Sequence, residues 1–106
     1  MKVSVVRGGG IAGLTSKVHL ATEALPGEQA RALEERVHRS RLLTMPEPPR
    51  PLARHADQLL YAVTVDDGGG ERTLHFTDET LSNDQRALIE WIDSHPKGER
   101  EVLPPG

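Results

Sequence analysis

The prolines Pro46, Pro48, Pro49 and Pro51 limit what this chain can fold into more than any other feature of it. Each fixes φ and removes a backbone N–H, so Thr44 to Ala56 reads as neither helix nor inner strand but as an extended, stiff connector. The chain is thereby divided into a segment before the connector and a segment after it, and each is readable by itself.

Before the connector, Lys2 to Arg7 is valine-rich. Val3 and Val5 share one face of an extended chain and Val6 takes the other, which predicts a strand partly covered on both sides. Gly8, Gly9 and Gly10 break it. Thr15 to Thr22 then places Val18 and Leu20 on one face and Lys17, His19 and Ala21 on the other, giving a hairpin with a long glycine-rich loop. Pro26 suits a first helical turn, Glu28 complements the helix dipole, and Ala30, Leu33 and Val37 recur at helical spacing. A helix is expected from Pro26 to Arg41, with Arg31, Glu34, Glu35 and Arg39 in solvent.

After the connector, Leu60 to Asp66 alternates, with Tyr61, Val63 and Val65 on one face. Asp66 to Gly70 supplies a turn, and Arg72 to Thr77 returns with Leu74 and Phe76 inward. Ser82 followed by Gln85 is a capping-box signature, and Leu88, Trp91 and Ile92 form one stripe of a second helix that Pro96 ends. Tyr61, Phe76 and Trp91 are assigned to the core.

The order ββαββα predicts an α+β fold: a four-stranded, largely antiparallel sheet with two helices packed on one face. At 106 residues there is room for one domain, placed at 1–96, with 97–106 as a flexible tail. Thirteen basic against sixteen acidic side chains give a net charge of −3, and there is one residue each of Trp, Tyr and Phe. Neither a phosphate-holding basic face nor a base-stacking platform is expected, so nucleic acid is not a partner. The absence of cysteine excludes thiolate metal sites and cysteine nucleophiles. The longest apolar run, Leu59 to Val63, is too short to span a membrane, and no signal-peptide stretch opens the chain, so a cytoplasmic protein without membrane contact is expected.

Gly8-x-Gly10-x-x-Gly13 after a strand matches a dinucleotide fingerprint, in which glycines let the backbone approach a pyrophosphate at a helix N-terminus. A small nucleotide- or flavin-binding module using Gly8 to Gly13 is therefore the alternative reading. That motif also needs a second parallel strand ending near an acidic residue about 20 positions on. Glu34 and Glu35 stand at that distance, but inside the expected first helix. No cofactor is predicted. His19, His38, His55, His75 and His95 show no ligand spacing, although His19 and His75 are expected to be neighbours on the outer face of the sheet, and no metal is predicted. No Ser/His/Asp arrangement is present, so the chain is not read as an enzyme.

Taken together, Arg7-Gly8-Gly9-Gly10-Ile11-Ala12-Gly13-Leu14, then Tyr61-Ala62-Val63-Thr64-Val65-Asp66-Asp67-Gly68, then Leu88-Ile89-Glu90-Trp91 follow the patterns R-x-G-G-[FI]-A-G-[LI], Y-x-x-T-V-x-D-G and L-x-x-W. Over residues 2 to 95 the chain resembles the emfourin family, small bacterial inhibitors of protealysin, a thermolysin-like zinc protease. Gly8 stands where such loops commonly carry serine, and Ile11 where an aromatic is common.

The resemblance implies a protein that is not an enzyme and that occludes the active-site cleft of a thermolysin-like zinc metalloprotease; the free protein is expected to be a monomer. Such enzymes favour a bulky apolar residue just after the cut bond, so an exposed aliphatic anchor is required; Ile11 and Leu14 in the glycine loop and Leu52 beyond the prolines are the candidates. The protease-binding set is accordingly Gly9, Gly10, Ile11, Ala12, Gly13, Leu14, Pro49, Leu52 and Asp57, with Glu47 and Asp57 as rim charges.

Overall fold

A computed structural model describes residues 1–9, 15–49 and 58–103. Strand β1, Lys2–Gly9, and strand β2, Thr15–Ala21, form the first hairpin, and a single 3₁₀ turn at Thr22–Ala24 leads to helix α1, Gly27–Ser40. Strands β3, Leu59–Asp66, and β4, Glu71–Thr77, form the second hairpin, followed by helix α2, Asn83–Ser94, and a further strand β5, Glu99–Leu103. The sheet order is β4-β3-β1-β2-β5, with antiparallel pairing throughout.

Five strands replace the expected four, and the added one comes from residues read as a flexible tail. Its sequence, Glu99-Arg100-Glu101-Val102-Leu103, has no buried face to leave a hydrophobic period; the first four side chains are exposed and Leu103 is half-buried. What holds β5 is the otherwise open edge of β2. Glu101 lies opposite Lys17, and Glu99 lies opposite His19 with Nε2 to Oε2 at 2.8 Å.

One face of the sheet carries the core. Val3, Val5, Val18, Leu20, Tyr61, Val63, Val65, Leu74 and Phe76 are buried, and they meet Leu33 and Val37 of α1 and Leu88, Ile89 and Ile92 of α2. Full burial of each such aliphatic side chain contributes about 1.5–3 kcal/mol. Trp91 departs from its core assignment: it is half-buried at the margin, with the Arg36 guanidinium 5.1 Å from its ring and the His95 ring 5.1 Å away. The helical stripe is right, but position 91 faces the α1–α2 seam instead of the sheet.

The helix ends follow their local signals. Pro26 and Arg41 flank α1, and the Pro26 carbonyl accepts from Gln29 and Ala30. Ser82 caps α2 with the reciprocal bonds of a full capping box to Gln85, whose Nε2 also donates to the Ser40 carbonyl at 3.2 Å and so ties the start of α2 to the end of α1. Arg72 donates to the carbonyls of Leu42 and Met45 and anchors the turn that leads to the prolines. In the second hairpin, Asp66 and Asp67 accept from the amides of Gly68 and Gly69, each at 2.9 Å, as Asx turns do. Among the described residues no helix is long and apolar enough to cross a membrane.

Candidate functional site

Strand directions decide which chain ends gather. The last residues of β1, β4 and β5 (Gly9, Thr77 and Leu103) and the first residues of β2 and β3 (Thr15 and Leu59) all lie at one end of the sheet. Binding residues concentrate where a rigid scaffold presents its connections, and Gly9, Thr15 and Leu59 at this end are described residues that border or adjoin the two segments singled out by sequence.

Gly9 is the pivot. It pairs with Leu59 and has φ +86°, and a Cβ built on it would come within 2.8 Å of the Gln58 carbonyl oxygen. Only glycine permits that approach in that conformation. The chain entering the 10–14 segment therefore runs against the chain leaving the 50–57 segment. Gly8 adds a second, looser approach, with a Cβ position 3.3 Å from Thr15 Oγ1. Pro49 is exposed at the end of the described stretch that follows α1. Gly10, Ile11, Ala12, Gly13, Leu14, Leu52 and Asp57 lie outside the described residues.

Two features at this end were not anticipated from the sequence. On the open face of the sheet, Val6, Gly8, Leu60, Tyr61, Ala62, His75 and Phe76 line a shallow hollow of about 240 Å³. On the helix side, Arg7 reaches from β1 to α2, where its Nη2 lies 2.6 Å from Asp93 Oδ2, while its guanidinium stacks 5.4 Å from the centre of the Tyr61 ring. The Arg7 and Asp93 side chains are 31% and 33% exposed, so solvent screens this pair less than it would a surface pair. Arg7 was visible as the first residue of the glycine motif, but no spacing rule connects it to Asp93.

The dinucleotide alternative fails on local structure. The fingerprint needs a helix whose N-terminal amides face a pyrophosphate, whereas Thr15–Ala21 is a strand returning antiparallel to β1. His19 and His75 do share the outer face, but β1 and β3 lie between their strands, so they are not the neighbours expected. His19 instead pairs with Glu99, and His95 Nε2 lies 2.8 Å from Gln29 Oε1. Among the described residues no group of three or more His, Asp or Glu side chains is placed to hold a metal ion.

A family model described as Emfourin matches residues 5–93. No curated protein and no solved structure matches the chain. The family match runs from Val5 in β1 to Asp93 in α2, taking in both hairpins, both helices and the connector between them, and it stops short of β5. The chain belongs to the emfourin family.

Proposed function

We propose that this protein inhibits a thermolysin-like zinc metalloprotease by occluding its active-site cleft with the 10–14 and 50–57 segments. Family membership implies a protease-inhibitor role in general and a protein that is not an enzyme. The observation that supports the finer reading is the approach of Gly9 to Gln58, because it brings the chain bordering both segments to one end of the sheet. Ile11, Leu14 or Leu52 supplies the apolar anchor in this reading, Gly9, Gly10, Ala12 and Gly13 let the backbone lie close, Pro49 restricts the connector, and Asp57 is a rim charge.

The surface suffices. A standard interface takes about 800 Å² from each partner, roughly an eighth of the 6560 Å² that the chain exposes. Restricted prolines lose less entropy on docking than an ordinary loop does, which offsets part of the cost of ordering the glycines.

The test is titration of purified protein against several thermolysin-like proteases, with stoichiometric loss of peptidase activity expected. Ile11→Asp and Leu52→Asp should each weaken inhibition while leaving the thermal midpoint near the wild-type value. No inhibition at micromolar concentration by folded protein, across the set, would refute the reading. A large fall in midpoint would identify the substituted side chain as packing and not as an anchor.

A further inference from the structure

We infer that the Arg7–Asp93 bridge, stacked on Tyr61, is a positioning device: it fixes the direction in which β1 delivers the chain beyond Gly9, and so sets inhibitory strength without touching the protease. The inference rests on the inhibitor reading. Arg7 stands two residues before Gly9, and its cross-strand neighbours are Tyr61, two residues after Leu59, and Ser16, one after Thr15. A single guanidinium thus sits over three strand ends that border the candidate segments. Its hydrogen-bond partner belongs to the helix layer, so those strand ends are tied to α2 as well as to one another.

Neither member of the pair is placed where local stability would put it. Asp93 lies in the last turn of α2, where a negative charge opposes the helix dipole and no basic residue of that turn compensates. Arg7 Nε is buried without a hydrogen-bond partner. Partly buried ion pairs are commonly replaceable by apolar side chains of similar volume at little cost in stability. What this pair adds over an apolar filling is direction. A charged hydrogen bond and a guanidinium held over an aromatic ring favour one direction, whereas apolar contacts allow neighbouring elements to slide.

The test is the double variant Arg7→Met/Asp93→Leu, compared with wild type in thermal midpoint, in hydrogen exchange at the Gly8, Gly9 and Leu59 amides, and in inhibition of a protease that the wild type blocks. The midpoint is expected within about 3 °C of wild type. Exchange at the three amides is expected to be faster, and inhibition about tenfold weaker. A double variant that inhibits as wild type does overturns the inference. Should the double variant not fold, Arg7→Lys keeps the charge but loses the guanidinium that bridges Asp93 and the Tyr61 ring, and is expected to weaken inhibition about threefold; unchanged inhibition by that variant is equally fatal. If the wild type blocks no thermolysin-like protease, the inhibitor reading fails by itself, and exchange then decides the positioning role, which unchanged rates at Gly8, Gly9 and Leu59 overturn.

Discussion

Gly9 places two demands on one Cα, a φ of +86° and the absence of a Cβ beside the Gln58 carbonyl. A left-handed conformation costs an L-residue roughly 1–2 kcal/mol, and the 2.8 Å approach to backbone adds displacement of β3. Gly9→Ala should therefore lower the unfolding free energy by roughly 2–3 kcal/mol in urea denaturation. Gly8→Ala, whose φ lies outside the left-handed region and whose Cβ would meet the Thr15 side chain and no backbone, should cost less than about 1 kcal/mol. Equal losses for the two would contradict this account. The glycine motif singled out position 9, but the reason for it lies with residue 58, a contact that no local spacing encodes. Tyr61 was legible as core for the opposite reason: a period of two marks a buried strand face, although not the guanidinium stacked on it.

At the scale of elements, signals contained within one turn were readable and signals shared between strands were not. Ser82 and Gln85 specify the start of α2 because both halves of the capping box lie three residues apart. β5 offers no such cue, since strand β2 and not a buried face defines it. A variant ending after Gly98 should keep the fold, because the lost strand buries little apolar surface. It should lose roughly 1–2 kcal/mol of stability with the broken ladder, and β2 amides that face β5 should exchange faster. Because the family match ends at Asp93, inhibition by that variant is expected to persist. Loss of inhibition with the fold intact would place β5 in the interface.

At the scale of the whole molecule, the decisive fact is that β1 lies between β2 and β3, with Val5 opposite Val18 on one side and Val63 on the other. Two hairpin-and-helix segments could have packed as separate units, and hydrophobic patterning alone does not distinguish that arrangement from one sheet. The pairing of β1 with β3 across the connector makes the two halves one core, in which Leu33 and Val37 of the first meet Leu88, Ile89 and Ile92 of the second. Neither half should then fold alone, because a two-stranded unit of about 50 residues with a single helix buries too little surface to offset its chain entropy. Fragments 1–52 and 53–106 should each lack a cooperative melt by circular dichroism, and each should fail to inhibit. Mixed in equal amounts they should recover both properties, since β1–β3 pairing and the Gly9–Gln58 approach need no covalent link between the halves. Inhibition by fragment 1–52 alone would show that the glycine loop acts without the Gly9–Gln58 approach and the β1–β3 pairing, and would remove the reason for reading the two segments as one site.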